Sequence, residues 1–540
     1  MRVLVADGLA DEGLRRLSAA GEVVVRAGVP DDELRSLLTE FDALIVRSRT
    51  RVPAGSLDAA GHLRVIARAG VGVDNIDVEA ATRRGILVLN TPDSSTVAAA
   101  EHTFAMMLAL ARHVPNAAQA LARGEWTRER FLGTELTGKT LGVVGLGKIG
   151  SEVARRALAF GMRVVASDPY VSEERARRLG VELAPWPDIL DPADVVTLHV
   201  PLGHDTRALV GPDELARMKP GAFLVNCARG GLVDETALLA ALERGQLGGA
   251  ALDVFATEPP GPDNPLLRHP RVVATPHLGG STVEAQRSIA VEVADQVLAA
   301  LRGEPVRGAV NAPALGEEVW QRLDPFLHLA RSLGGLAGQL ADGQIRAVAL
   351  VYEGEVARLD TQPLTASVLV GLLRHASDQP VNLVNAVLLA KERGLRVSES
   401  HTDLCEDFAS QLVAEIETSR GTLRLGGTLW GHREPRITRL NAWRLDLAPA
   451  PHMLFVWNAD RPGMIGHVGT ILGRRGVNIA NMHVGRLELP DGRPLVGRHD
   501  AGGTAVMVLT LDDAPPVEVT REIAQADGIT AVRTTRLPAA

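Results

Sequence analysis

Between Thr140 and Gly150 the chain reads T-L-G-V-V-G-L-G-K-I-G, and no other stretch limits the possible folds as much. An apolar run stops at Gly145, and an Ala/Arg-rich helical pattern takes over by Ser151. Gly145 permits a tight strand-to-helix turn, Gly147 lets a phosphate approach the backbone, and Gly150 allows close helix–strand packing. The helix start at Lys148, Ile149 and Gly150 then offers free N–H groups and a positive dipole end to a pyrophosphate. The next apolar run, Arg163–Ser167, leads into Asp168, about twenty residues on, where a carboxylate would accept the ribose hydroxyls and repel a 2′-phosphate. The pattern predicts a dinucleotide site that takes NAD rather than NADP.

The same rhythm fills the first three hundred residues or so. Val/Ile-rich runs such as RVLVA, ALIVR, RVVASD, VVTLHV and AFLVN alternate with longer segments of helical period. That alternation predicts parallel sheets built from right-handed crossovers and covered on both faces. A long Ala/Met/Leu helix is expected over Ser95–Val114, then an irregular polar arm from Gln119 to Gly138, and a return helix over Ser281–Leu301. We expect residues 1–96 plus 290–312 to form a discontinuous substrate-binding domain around an NAD-binding Rossmann domain at 97–289. The pattern changes after that. Residues 313–449 read as an α+β unit with helices near Pro325–Leu340, Ser367–His375 and Asn382–Arg393, a strand at Ile345–Tyr352 and a hairpin over Gly421–Ile437. The last stretch, 450–540, reads strand, helix, strand, strand, helix, strand, the ferredoxin-like order, with a long hairpin insert at Glu488–Gly502.

Moving a hydride to or from a carbon bearing oxygen needs a proton-transfer group near that oxygen and a cation for a substrate carboxylate. Three segments offer these, each after a predicted strand: Asn226-Cys227-Ala-Arg229-Gly-Gly, Asp253-Val-Phe-Ala-Thr-Glu258-Pro259, and Thr275-Pro-His277-Leu-Gly279-Gly280. Strand C-terminal edges are where doubly wound sheets bind ligands. Histidine is the natural donor near neutral pH, and a neighbouring glutamate would orient it. His102, His199 and His204 lack a following glycine-rich loop and read as structural or peripheral.

With the GLGKIG loop, the NCARGG arginine, the EPP glutamate and the PHLGGST histidine, the chain resembles the D-2-hydroxyacid dehydrogenase family. The resemblance implies that Arg229 binds and polarises an α-keto acid, that His277 is the general acid/base and that Glu258 pairs with it. It also implies cofactor contacts at Cys227, Arg229, Asp253, His277 and Gly279. Ile45-Val-Arg47-Ser48-Arg49-Thr50, Arg68-Ala-Gly70-Val-Gly72-Val-Asp74-Asn75 and the tail extend the resemblance over the whole chain, to the long-form D-3-phosphoglycerate dehydrogenases. These imply 3-phosphoglycerate as substrate, with Arg47, Ser48 and Arg49 at its phosphate, backbone N–H groups of Gly70 to Gly72 at its carboxylate, and Asn90 bordering the cleft. Trp126 and Arg128 would reach toward a neighbouring subunit.

Asn458-Ala-Asp460-Arg-Pro-Gly463 and Gly476-Val-Asn478-Ile resemble the ACT domain, an amino-acid-sensing module. By that resemblance Asn458, Asp460 and Asn478 are regulatory positions for L-serine as an allosteric inhibitor, although Asn458 stands where some relatives carry Tyr or His. A module that only dimerises fits the same pattern. The 313–449 unit, through Val381-Asn-Leu-Val-Asn385-Ala, resembles the intervening domain of such enzymes, with Arg439 and Arg444 as candidate anion ligands and Ala442 where the family has Gly.

Composition sets the remaining limits. A net charge of -8 over 540 residues disfavours nucleic acid as partner. Two cysteines, Cys227 and Cys405, give neither a disulfide framework nor metal-ligand spacing, which fits a cytoplasmic enzyme with no metal. The apolar stretch around 98–111 is interrupted by Glu101 and His102 and is too short to span a bilayer. The resemblance, to enzymes that pair through the inserted cofactor domain and to ACT domains that pair as well, implies a homotetramer. Two other functions remain open on sequence: a reductase of another D-2-hydroxy acid such as glyoxylate or hydroxypyruvate, and an NADH-sensing co-repressor-type binding protein.

Overall fold

The computed structural model describes residues 1–313, 316–377, 379–486 and 503–538. The apolar runs of the first half become two all-parallel sheets. The first has five strands in the order Glu22–Val25, Arg2–Val5, Ala43–Val46, Val65–Arg68, Leu87–Leu89. Its order reverses between Arg2–Val5 and Ala43–Val46, so the crevice beyond those strands opens at Asp7 and Arg47. The second has seven, in the order Val272–Ala274, Leu247–Leu252, Ala222–Asn226, Val195–Leu198, Thr140–Val144, Arg163–Ser167, Glu182–Leu183. Its reversal lies between Val195–Leu198 and Thr140–Val144, which places the glycine loop and His199 together at the switch point. Ala43–Val46 and Val195–Leu198 are buried along their whole lengths, as strands covered on both faces must be.

The expected Ser95–Val114 helix spans Thr96–Ala111 and stops at His113, whose φ of 51° breaks the helical path. A second helix, Val114–Ala122, occupies the start of the stretch read as an irregular arm. The return helix, Val283–Arg302, ends on Gly303 at φ 78° and packs on helix Asp11–Ser18. A Cβ at Gly13 would overlap the Ala290 carbonyl, so only glycine admits this approach. Ile289, Val293 and Val297 join the core of the first sheet, and Asn90 N–H donates to Gly308 O at 2.9 Å.

In the C-terminal half, helices Glu317–Leu340 and Gln362–Leu373 cover a six-stranded sheet: Arg396–Thr402, Ile345–Gly354, Ser410–Thr418, Gly421–Trp430, Glu434–Leu440, Trp443–Leu447. Only the first pair is parallel. The sequence pattern shows the 345 strand and the 421–437 hairpin but not the other strands; Arg396–Thr402 has no apolar face, being almost wholly polar. The tail is an antiparallel sheet, Ile479–Arg486, Thr504–Leu511, His452–Ala459, Ile529–Arg536, with helices Met464–Arg474 and Val517–Ala524, as the βαββαβ reading predicts. The insert Glu488–Gly502 lies outside the described residues. No helix among the described residues is long and apolar enough to cross a membrane.

Candidate active site

The carboxyl ends of the two parallel sheets face one cleft. A cavity of about 1000 Å³ is lined by Ser48, Arg49, Arg68, Asp74, Arg229, Glu258 and His277. An adjoining one of about 580 Å³ shares five of these residues and adds Arg47, Gly70, Gly72, Asn90, Cys227 and Gly279. The two sheets thus bring Arg229, Glu258 and His277 to the same space as the residues read as substrate contacts.

Glu258 and His277 meet directly, with Glu258 Oε2 2.8 Å from His277 Nδ1. Burial opposes charge on Glu258, but the imidazole and the Phe255 N–H hold its carboxyl below the ordinary range. His277 sits at φ 54°, a left-handed conformation that non-glycine residues seldom adopt and that persists where the surroundings impose it. What imposes it is Asp253. Its main-chain oxygen accepts the His277 N–H at 2.9 Å, and its carboxylate accepts from Leu278 N at 2.7 Å and Gly279 N at 2.9 Å. The Asp253 side chain is wholly buried. It is the framework of the histidine loop, a use the sequence reading does not identify.

Arginines gather from both walls, Arg47 and Arg68 from the first sheet and Arg229 from the second. Arg47, Arg68 and Arg229 all line the cleft, and among the described residues only Arg229 of the three has a carboxylate partner, Asp74 at 3.0 Å. Burial, then the charges of Arg229 and Arg47, lower Arg68 to about 10, and its buried Nε has no hydrogen-bond partner among the described residues. Burial also lowers Arg47, where Asp7 and Arg49 pull in opposite senses. Cations crowded like this in a partly dry cleft await an anion. Arg68 and Asp74 lie within the motif quoted above, but nothing in their spacing marks them as cleft residues. In the loop read as a carboxylate site, the Gly70 N–H is given to Arg68 O at 2.9 Å. Among the described residues the Val71 and Gly72 N–H groups have no backbone acceptor. A Cβ at Gly72 would overlap the Arg229 guanidinium, so the glycine is needed for that arginine to lie against the loop.

The dinucleotide loop suits its expected occupant. Gly145 has φ 91°, a Cβ at Gly150 would strike the Gly145 carbonyl, and a Cβ at Gly147 would meet nothing within 4 Å, leaving that backbone open for close approach. Asp168 accepts from Leu146 N at 2.8 Å and Tyr170 N at 2.9 Å, which sets its carboxylate at the strand end beside the loop. Lys148 is exposed and paired with Asp93. Ile149 and Cys227 line the cleft wall, and burial pushes the Cys227 thiol up to about 12, so it acts as a neutral, inert surface. His199 is held neutral by burial, lowered to about 4. His102, read as peripheral, instead has Nε2 3.2 Å from Asp253 Oδ1.

The regulatory candidates do not meet one another. Asp460 pairs with Arg486 at 3.1 Å and Asn478 donates to Asp512 at 2.6 Å. Asn458 is 3% exposed, and its Oδ1 is buried with no hydrogen-bond partner among the described residues. Arg439 and Arg444 are register partners on adjacent strands, with Arg444 paired to Asp407 at 2.9 Å.

A doubly wound sheet with a glycine loop at its switch point, and with an arginine and a glutamate–histidine pair just past the carboxyl ends of strands of that same sheet, is the architecture of an NAD-dependent dehydrogenase of 2-hydroxy acids. The NAD binding domain of the D-isomer specific 2-hydroxyacid dehydrogenases matches residues 104–279, the D-3-phosphoglycerate dehydrogenase intervening domain 322–441, and the ACT domain 452–528. The chain is 44% identical over 537 residues to D-3-phosphoglycerate dehydrogenase of Synechocystis, covering 99% of this chain and 95% of that one. It is 41% identical over 540 residues to the Bacillus subtilis D-3-phosphoglycerate dehydrogenase, covering 99% and 100%. Among solved structures, D-lactate dehydrogenase from Aquifex aeolicus complexed with NAD and lactic acid superimposes with a TM-score of 0.51 at 29% identity, over 56% of this chain and 96% of that one. The chain belongs to the D-3-phosphoglycerate dehydrogenase family.

Proposed function

We propose that this chain oxidises 3-phospho-D-glycerate to 3-phosphohydroxypyruvate with NAD, the entry step to L-serine. The observation that carries the substrate is the arginine cluster: Arg47, Arg68 and Arg229 line the smaller cavity, where Asp74 is the one lining carboxylate among the described residues, which matches a substrate with two anionic ends, and arginine suits phosphate because its fork donates in pairs. NAD, held by the Gly145–Gly150 loop and Asp168, supplies the hydride acceptor at C2. Arg229 holds and polarises the α-hydroxy acid, helped by the Val71 and Gly72 N–H groups. His277, oriented by Glu258, takes the hydroxyl proton as the C2 carbonyl forms. Arg47, Ser48, Arg49 and Arg68 hold the phosphate. Closing the cleft excludes water from the reacting carbon. The test is NADH formation from 3-phosphoglycerate beside D-glycerate and D-lactate; equal turnover of an unphosphorylated acid would overturn the substrate and leave the Arg229–Glu258–His277 chemistry in place.

Around this reaction we take 1–96 plus 290–312 as the substrate-binding domain and 97–289, 313–449 and 450–540 as the cofactor, intervening and ACT units. The pairing of Asn90 with Gly308 supports returning the segment after 290 to the first domain. L-Serine is the expected inhibitor, acting through Asn458, Asp460 and Asn478, and a rate independent of serine would remove this role. Exposed Leu121, Trp126 and Leu132 along the cofactor domain support assembly, which we put at a homotetramer, measurable by light scattering. Unpaired Cys227 and Cys405 support a cytoplasmic location, which fractionation would test.

A further inference from the structure

His102 lies on the Thr96–Ala111 helix, in the same chain stretch as residues that pack the cofactor sheet, yet its ring points at chemistry. Thr275 has one hydroxyl proton. Its Oγ1 is 2.6 Å from Asp253 Oδ1 and 3.6 Å from the Met106 sulfur, so the proton goes to the carboxylate. Oγ1 therefore faces His102 Nε2, at 3.1 Å, as an acceptor. Asp253 Oδ1, 3.2 Å from the same nitrogen, is an acceptor too. Two acceptors at one ring nitrogen fix it as the one that bears hydrogen.

Asp253 needs that donor. Its carboxylate has no exposed surface, and burying an ionised group is costly unless charge or hydrogen bonds compensate. Burial opposes its charge, and hydrogen bonds from His102, Thr275 and the Leu278 N–H hold it ionised below the ordinary range. Among the described residues His102 is the one ionisable partner of this carboxylate within ion-pair distance. The carboxylate in turn receives the Leu278 and Gly279 N–H groups that turn the loop and set His277 at φ 54°. We infer that His102 is a positioning residue for the reaction: through Asp253 and Thr275 it holds the main chain that carries His277.

The inference rests on His277 being the proton-transfer group, and H277N serves as the control. The measurements are kcat and KM for 3-phosphoglycerate and hydrogen exchange of the 277–279 amides in the full chain, for H102L, H102Q and T275V. H102L keeps the bulk and removes the donor. We expect its kcat to fall about tenfold or more, the worth of a hydrogen bond to a charged group, with KM nearly unchanged and faster exchange confined to the loop. H102Q, which can donate from its amide, should restore both. T275V removes the other side-chain donor to Asp253 Oδ1 and should reproduce the H102L pattern. Wild-type kcat and exchange in H102L overturn the inference, as does H102Q no better than H102L. If H102L does not fold, T275V decides alone, and wild-type behaviour there overturns it. Activity surviving in H277N overturns the catalytic reading itself; an inactive H277N beside a wild-type H102L overturns only the role of His102.

Discussion

Glu258 Oε2 stands 2.8 Å from His277 Nδ1, and this pair decides which end of the imidazole does chemistry. A carboxylate only accepts, so Nδ1 carries hydrogen and Nε2 is left to take a proton from a substrate hydroxyl. E258Q keeps the size and removes the charge. We expect kcat to fall on the order of 10²-fold with little change in KM. The carboxyl of Glu258 is depressed in the folded protein, so its contribution is present above the ordinary carboxylate value and lost only as pH falls through the lower, folded one. An acidic limb in the rate profile above about pH 5 therefore belongs to another group. Removing the negative neighbour should move that limb to lower pH, which a kcat profile of E258Q would read.

H277N should lower kcat by about 10²–10⁴ if proton transfer is the role of this histidine. NADH should still bind, because the glycine loop and Asp168 are untouched. Steady-state kinetics with a fluorescence titration of NADH separates the two effects. Near-normal turnover would remove His277 from the chemistry.

The parts of this molecule that were legible in the sequence are those whose signal is local. Thr140–Val144 is a continuous apolar run because both its faces are covered, and Gly145, Gly147 and Gly150 mark the turn that follows. His277 announces itself by the glycines after it. His102 does not: a histidine in an Ala/Met/Leu helix reads as packing, and the carboxylate that gives it meaning lies some 150 residues further on. Arg68 is hidden in the same way, since what distinguishes it from a surface arginine is burial beside Arg47 and Arg229, a product of two sheets meeting. The strand Arg396–Thr402 is polar but for Val397 and is a strand because Ile345–Gly354 offers it a parallel edge. The Gly70 N–H, read as part of a carboxylate site, is given to Arg68 O within its own loop.

Arg68 also links binding to stability. Its lowered value, about 10 against an ordinary 12.5, means that burial beside two other cations penalises the charged form. The folded value lies below the unfolded one, so this penalty is present at neutral pH and eases only as pH rises past about 10. R68M removes it. We expect the melting temperature of the free protein to stay level or rise by a few degrees, while KM for 3-phosphoglycerate rises on the order of tenfold or more. Added 3-phosphoglycerate should raise the melting temperature of the native chain more than that of R68M. A destabilised R68M with unaltered KM would mean that the guanidinium packs rather than binds.

The glycine loop gives a pair of substitutions with opposite expectations. At Gly150 a Cβ would run into the Gly145 carbonyl, a backbone atom that cannot swing aside. G150A must separate helix Lys148–Ala159 from the turn before it, and overpacking of this kind costs about 1–3 kcal/mol. At Gly147 the backbone has φ -70°, which alanine adopts freely, and a Cβ would meet nothing within 4 Å. G147A should therefore melt with the native chain. Its methyl group would nonetheless stand where the pyrophosphate must come close, so NADH affinity should fall on the order of tenfold or more. Thermal melts and NADH titrations of both variants distinguish packing from recognition. Native NADH affinity in G147A would show that the phosphates do not approach the loop at that residue.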